Sequence, residues 1–412
     1  MEKYLVINGG SSSLKFSLYD NNNGNYNEII SGVVERIGQE IGTFVLKGKT
    51  KITENVIVKN HTEAVKIMLN KLLEKNYIES IDEIKGIGHR VLIGGEFYSD
   101  SVLIDDECLN NIKTLIPYGE LHMPGEISVI ESMKEILPEV PNIAAFDTSF
   151  HQTIPEYNYL YALPYKLREK YNIRKNGFHG TSHKYITEEA KKILGKEDVN
   201  IISCHIGNGS SITAIENGKS INTTMGFTPI DGVIMGTRTG SIDPSIIEFI
   251  CKNENISVKD CMNILNKESG LLGISGVSSD IRDLLEARSN GNKRAALAID
   301  MLEKSIIKYI AEYLIELEGN VDAIVFTAGI GENVPEIRKN IIDKLSKCSR
   351  LGIKLDNEAN NDTRFGKSGE ITTNDSLIKC MVIPTNEELM ILKDTIRIVK
   401  ENKNIKTYKL EK

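Results

Sequence analysis

Several things this chain lacks narrow its class before any motif is read. Its six cysteines (Cys108, Cys204, Cys251, Cys261, Cys348, Cys380) include no C-x-x-C pair, so neither a zinc site nor a disulfide framework is indicated, and a reducing cytoplasm is expected. No run approaches the ~18 apolar residues of a membrane span. The first residues, MEKYLVING, begin a strand pattern and lack the basic start, apolar stretch and small-residue cleavage site of a signal peptide. Positive charge is not in excess. The formal net charge of −7 argues against nucleic acid or an anionic membrane as partner, because both demand a concentrated cationic face. With 40% hydrophobic and 26% charged residues the balance is that of an ordinary globular protein, and 412 residues exceed what one core usually supports. Two domains are expected.

What is present is an internal echo. Residues 200 to 216, NIISCHIGNGSSITAIE, repeat the design of residues 4 to 20, YLVINGGSSSLKFSLYD. Each copy has an apolar strand-like run, a tight turn (Gly10-Ser11-Ser12, then Gly209-Ser210-Ser211), an alternating second run, and an Asn-Gly hairpin signal at Asn23-Gly24 or Asn217-Gly218. Two halves built alike imply a cleft between them. Glycine and serine at such turns leave N–H groups and small hydroxyls free to surround phosphate oxygens.

Further along, residues 61–80 have apolar residues at helical spacing, residues 84–92 read as a strand ending in His89-Arg90, and residues 142–151 read as a short buried strand delivering Asp147. A helix is expected at 185–195, long helical patterns at 245–268 and 292–318, and a β-rich run broken by two glycines at 321–333, with a helix starting at Pro335. The end of the chain reads as strand, Pro-Thr turn and final helix. Strands alternating with helices in both halves define an α/β protein.

Two familiar motifs fail. Gly218-Lys219-Ser220 mimics the end of a P-loop, but Thr213 stands where its first glycine belongs. His179 and His183 have the i, i+4 spacing of a zinc helix, yet HGTSH lacks the glutamate and suggests no third ligand. Polar residues instead concentrate in glycine-rich turns: Asn8 to Lys15, Arg90, His122, Asp147, Phe178 to His183, His205 to Gly209, Gly236 to Gly240, Gly329 to Asn333, and Glu387. Arg238, held between glycines in GTRTG, has the rigid fork that suits phosphoryl oxygens. Arg90 has a Gly-rich flank on an apolar run, which suits bidentate grip of a carboxylate.

NGGSSSLKF, GFHGTSHKY, HIGNG, MGFTPIDGVIMGTRTGSIDP, SGLLGISGVSSDIRD, FTAGIGEN and IPTNEEL together resemble the acetate kinase family, from residue 4 to about 400. The resemblance implies two duplicated ribonuclease-H-like domains of the actin-like ATPase superfamily, with the active site in the cleft between them. Residues 1–149, joined by a returning C-terminal helix at 385–412, would form the first, and residues 150–384 the nucleotide-binding and dimerisation domain. It also implies a homodimer that moves the γ-phosphoryl group of ATP reversibly onto acetate, using Mg²⁺, with Mn²⁺ as an alternative. Carried over by motif, Asn8 and Glu387 would hold the metal, while Lys15, with Ser11 and Ser13 of the phosphate loop, would meet nucleotide phosphate. ATP would lie against His205, Ile206, Gly207, Asn208 and Gly209, against Asp280, Ile281 and Arg282, and against Gly329, Ile330, Gly331, Glu332 and Asn333. Arg90 would grip the acyl carboxylate beside His122. Leu92, Leu121, Phe178 and Pro229 would wall its methyl group. His179 and Arg238 would stabilise the transferring phosphoryl group. Asp147 matches a residue usually assigned as proton acceptor, but a carboxylic acid with a pKa of about 4 to 5 is already ionised at pH 7, which favours positioning over base chemistry.

Some substrate-side positions depart from the family pattern. Val91-Leu92-Ile93 stands where Val-Val-His is common, and Leu121-His122-Met123-Pro124 where Leu-His-Asn-Pro is usual. Propionate or butyrate is therefore the alternative acceptor. An actin-like ATPase without any carboxylate acceptor is the alternative of another class.

Overall fold

The computed structural model describes residues 2–410 apart from Asn23, Lys49 and Leu121, with residues 403–410 described by backbone alone. Asn23 of the first hairpin signal and Leu121 of the acyl wall thus lie outside the described residues. The chain divides into two units, Met1–Ser149 with Asn386–Lys412, and Phe150–Thr385.

The first unit carries β1 (Glu2–Gly9), β2 (Ser13–Asn22), β3 (Asn25–Glu35), β4 (Gly42–Lys47), β5 (Lys51–Val56), β6 (Ile84–Val91), β7 (Val102–Leu103) and β8 (Asn142–Phe146), in the sheet order β5-β4-β3-β2-β1-β6-β8-β7. Alternation along β1 decides its two faces. Leu5 and Ile7 join Leu14, Phe16 and Phe44 beneath Met68 and Leu69 of the His61–Glu74 helix and Met133 of the Met123–Ile136 helix. Tyr4 and Val6 face the other way, onto Ile391, Leu392 and Ile396 of the C-terminal Glu387–Leu410 helix. Two glycines let that helix lie close: a Cβ on Gly86 would stand 2.8 Å from Val399 Cγ2, and one on Gly88 would stand 2.3 Å from Thr395 Oγ1.

The second unit carries β9 (Ile201–Ile206), β10 (Ser210–Glu216), β11 (Lys219–Thr223), β12 (Ala323–Thr327), β13 (Gly369–Glu370) and β14 (Lys379–Val382), ordered β11-β10-β9-β12-β14-β13. Ile202, Ile212 and Phe326 pack there against Leu302, Ile306 and Ile310 of the Lys293–Glu316 helix. The echo is now explicit. β3-β2-β1-β6-β8 and β11-β10-β9-β12-β14 follow one path, an antiparallel meander extended by two parallel strands. Asn217 and Gly218, with φ of 49° and 74°, form the tight turn that their dipeptide favours.

Several boundaries differ from the periodicity reading: the strand read over 142–151 ends at Phe146, and the helix expected at 185–195 begins at Gly180. The helix expected to reach residue 80 stops at Glu74, and Asn76 takes φ 57°. The 245–268 pattern is two helices, Ser245–Glu254 and Val258–Lys267, because Asn255 turns left-handed (φ 52°) and Ser257 with Asp260 forms a capping box that restarts the helix. After β12 the glycine-containing segment is helical, Ala328–Asn333, rather than extended. Its conformation is fixed by Glu332, whose Oε1 accepts the N–H groups of Ala328 at 2.7 Å and Thr385 at 3.0 Å.

Candidate active site

In the first unit, adjacent parallel strands deliver the charged groups at their carboxyl ends, where α/β sheets place ligand chemistry. Arg90 lies near the end of β6 and Asp147 follows β8, with the Asp147 N–H donating to Val91 O at 3.0 Å. Arg90 Nη2 donates to Asp147 Oδ2 at 2.5 Å, and Arg90 Nη1 is 3.8 Å from Glu126 Oε1. Burial opposes the arginine charge, but Asp147, Glu126 and Glu387 around it hold its pKa above the ordinary value. The same crowding acts on the acids. Burial, more than the Asp147 charge, pushes Glu126 up to about 7, and burial followed by the Asp147 charge raises Glu387.

Asn8 and Lys15 are partners across the β1–β2 hairpin, so they share one face of it. Between them the turn is tightened by the Gly10 N–H donating to Ser13 O at 2.7 Å, and His61 Nε2 lies 2.8 Å from Gly10 O. Ser11 is exposed and Ser13 half-buried. An amide oxygen and a carboxylate are hard donors of the kind Mg²⁺ accepts, with water and phosphate completing its shell. Asn8 and Glu387 fit that chemistry. Among the described residues no group of three or more His, Cys, Asp or Glu side chains is arranged to hold a metal ion. Leu92 is buried, and His122 is exposed at the start of the Met123–Ile136 helix.

In the second unit the turn Gly207-Asn208-Gly209 joins β9 to β10, mirroring the first hairpin. The GTRTG loop packs onto it. The Gly236 N–H donates to Asn208 O at 3.0 Å, and a Cβ on Gly236 would collide with Asn208 Oδ1 at 1.9 Å. That contact carries Arg238 to the turn, where Arg238 Nη1 and His179 Nε2 each lie 3.4 Å from the position a Cβ on Gly209 would take. The missing Cβ leaves a niche between an arginine N–H donor and an imidazole nitrogen. Arg238 Nη1 also donates to Pro229 O at 3.0 Å, and burial lowers its pKa without discharging it.

His179 is itself strained, with φ 57° at the start of the Gly180–Leu194 helix. A serine network holds it. Its Nδ1 lies 2.9 Å from Ser211 Oγ, which is also 2.8 Å from His183 Nε2, and its ring stacks on His205 at 4.0 Å. The pair with zinc-like spacing therefore converges on a hydroxyl. His205 Nδ1 meets Ser182 Oγ at 2.9 Å, and His151 Nε2 meets the carbonyl of Phe178 at 3.0 Å. Burial pushes His151 and His205 down to about 4 and His183 well below its usual value.

Beside this niche a cavity of about 680 Å³ is lined by Gly207, Asn208, Asp280, Ile281, Arg282, Gly329, Ile330 and Asn333, together with Ser279, Val334 and Phe365. His205, Ile206, Gly209, Gly331 and Glu332 do not line it. Ile206 and Gly331 are buried, and the Glu332 carboxylate is spent on Ala328 and Thr385. Sequence reasoning missed Phe365, which is exposed at φ 56° with its N–H donated to Asn333 Oδ1 at 2.9 Å. It also missed Arg338. That side chain is fully buried and donates to the carbonyls of Gly331 and Glu332 at 2.9 and 2.7 Å, fixing the 328–333 segment from behind. An arginine within an amphipathic helix gives no signal of such a role.

Each unit is an α/β sheet of the same topology, and the second holds a glycine-turn niche with an adjoining cavity. The structure superposes on that of Porphyromonas gingivalis acetate kinase with a TM-score of 0.92 at 39% identity, covering 97% of this chain and 100% of that one. A propionate kinase from Francisella tularensis subsp. tularensis gives 0.89 at 43% identity, again over 97% and 100%. In sequence the chain is 50% identical over 411 residues to the acetate kinase of Clostridium novyi (strain NT), covering 98% of this chain and 100% of that relative. The acetokinase family model matches residues 3–393. The chain belongs to the acetokinase family.

Proposed function

We propose that this protein is an acetate kinase that transfers the γ-phosphoryl group of ATP reversibly to acetate, giving acetyl phosphate and ADP. The observation that carries this reading is the convergence of His179 Nε2 and Arg238 Nη1 over Gly209, next to the cavity lined by Gly207 and Asn208. Phosphoryl transfer needs positioned positive charge more than covalent participation by the protein. As an acetate oxygen bonds to phosphorus, the bond from phosphorus to the bridging oxygen breaks and ADP leaves with its electron pair. Arg238 and His179 meet the charge spread over the equatorial oxygens.

Acetate arrives as an anion, so Arg90 binds it and no base is required. Asp147 occupies one end of the Arg90 fork and so orients the guanidinium toward its ligand. Lys15 and the Ser11 and Ser13 turn would meet phosphate, and Mg²⁺, held by Asn8 and Glu387, would neutralise phosphate charge when bound.

A homodimer and a cytoplasmic site of action belong to the same proposal. Ile246, Phe249 and Val258 on the Ser245–Glu254 and Val258–Lys267 helices are exposed, which supports burial against a second copy. The six cysteines are free, which suits a reducing compartment. A propionate acceptor is the second reading, favoured by the 43% identity to a propionate kinase. Hydroxamate formation from formate, acetate, propionate and butyrate with ATP and Mg²⁺ separates them. Acetate should give the highest kcat/KM. ATP hydrolysis indifferent to every acid would instead indicate an actin-like ATPase.

A further inference from the structure

The first turn of the Met123–Ile136 helix does two things at once on the acyl side. Met123 packs with Leu92 and Ile93 around Gly119: a Cβ on that glycine would meet Met123 Cγ at 2.8 Å, Leu92 Cδ2 at 3.2 Å and Ile93 Cδ1 at 3.5 Å. Three residues on, and so on the same side of the helix, stands Glu126. It is only 2% exposed, and its backbone is pressed against the phosphate-turn strand, since a Cβ on Gly9 would lie 3.3 Å from Glu126 Cα. One carboxyl oxygen, Oε2, accepts the Leu92 N–H at 3.0 Å. The other, Oε1, is buried with no hydrogen-bond donor among the described residues and sits 3.8 Å from Arg90 Nη1.

A buried carboxyl group with one satisfied and one unsatisfied oxygen is costly, so its retention calls for a reason. Replacing Glu126 by an alkyl group would leave the Leu92 N–H unpaired as well. That N–H belongs to Leu92, the first residue of the proposed apolar wall, two positions beyond Arg90, the proposed carboxylate grip.

We propose that Glu126 is a positioning residue of the acyl-acceptor site, fixing the backbone of Leu92 through Oε2 and flanking the Arg90 guanidinium through Oε1. This inference rests on the acetate kinase reading. Glu126 touches neither phosphate nor acid in it. It sets where the carboxylate grip and the methyl wall stand relative to each other, and so governs acid affinity and acyl-length selection without entering the chemistry.

Two conservative variants test it, measured by the hydroxamate assay with acid and ATP varied separately. Glu126→Asp keeps a carboxyl group but is one methylene too short to hold the Leu92 N–H, whereas Glu126→Gln keeps the reach and an acceptor. Glu126→Asp should raise the KM for acetate about tenfold, the scale of one lost hydrogen bond, and raise the propionate-to-acetate ratio of kcat/KM. Its kcat and its KM for ATP should stay within about twofold. Glu126→Gln should recover most of the loss. A normal Asp variant, a Gln variant impaired as much as Asp, or a parallel rise in both KM values would overturn the proposal. If the wild-type protein makes no hydroxamate from any acid, the acetate kinase reading itself fails. An active wild type with an unaltered Asp variant removes Glu126 alone.

Discussion

In the proposed function Arg238 and Arg90 divide the labour of charge recognition, and their surroundings say how each should fail. Arg238 Nη1 shares a niche with His179 Nε2, and both are aimed at space that glycine leaves open rather than at a carboxylate. Such donors count most when charge peaks in the transition state. Arg238→Ala should lower kcat by a factor corresponding to about 3 kcal/mol while leaving ATP affinity nearly unchanged. A coupled assay showing wild-type kcat would remove Arg238 from the phosphoryl site. Arg90 stands among Asp147, Glu126 and Glu387, and its partner carries charge before reaction begins. Arg90→Ala should therefore raise the KM for acetate far more than that for ATP. A selective loss of ATP affinity would place Arg90 on the nucleotide side instead. Leu92 gives a third residue test. Its side chain meets Ile93 and Met123 around Gly119, so the positions that depart from the family pattern pack on one another. A filled wall resists longer acids at a cost of about 1 to 3 kcal/mol, more than the ~0.8 kcal/mol each added methylene would gain. Leu92→Ala should raise kcat/KM for propionate relative to acetate. An unchanged ratio would mean that Leu92 does not line the acyl pocket.

At the scale of elements, much of the architecture was legible because local signals agree with the global fold. The Asn217-Gly218 turn, the glycine after the Gly180–Leu194 helix (Gly195, φ 65°) and the apolar runs of β1, β9 and β12 each carry their own instruction. The turns with Asn8, His205 and Arg238 stood out for the same reason: glycine and polar residues together mark backbone that ligands approach. Less legible were features set by partners distant in sequence. Nothing near 245–268 except Asn255 and Ser257 says that one amphipathic stripe is two helices, and periodicity is blind to a left-handed residue. The Ala328–Asn333 helix depends on Glu332 reaching Thr385, and on Arg338 behind it. Phe365 lines the cavity of the second unit beside Asn333, whose Oδ1 accepts its N–H. Likewise Glu126 reads as an ordinary first-turn acid, and its burial beside Arg90 is a product of the sheet order. The return of the C-terminal helix is implied by the family resemblance and not by local pattern; Gly86 and Gly88 of β6 permit it by leaving a groove for Ile391, Thr395 and Val399. Gly88→Ala should destabilise the protein by about 1 to 3 kcal/mol, because the new methyl group must displace packed side chains. Chemical denaturation reads this directly, and a neutral substitution would mean that the helix shifts freely on the sheet.

Across the whole molecule, the two units should respond differently to acid. In the second unit, burial holds His151 and His205 at about 4 and keeps His183 well below its usual value, while the unfolded chain titrates near 6.5. Between those values the unfolded state binds more protons, so stability is full above about pH 6.5 and falls as pH drops toward 4. Going from pH 7 to 5 should cost on the order of 2 kcal/mol for each of His151 and His205, with His183 acting in the same direction. The first unit contains one such group, His89, also pushed down to about 4 by burial. It contains Glu126 as well, with the opposite sign. A carboxyl group whose folded pKa is raised to about 7 favours the folded state at low pH, and that contribution is lost as pH rises through 7. Glu387, raised in the same direction, adds to the offset. In the second unit Glu303 and Glu316 are raised too, but they are only partly buried and face three histidines rather than one. The balance therefore tips against the second unit. Hydrogen exchange, corrected for the intrinsic pH dependence of amide chemistry, should show β9, β10 and β12 losing more protection between pH 7 and 5 than β1, β2 and β6. Equal losses in the two sheets, or a larger loss in the first, would show that the histidine and serine network around Ser211 is not held neutral by the fold.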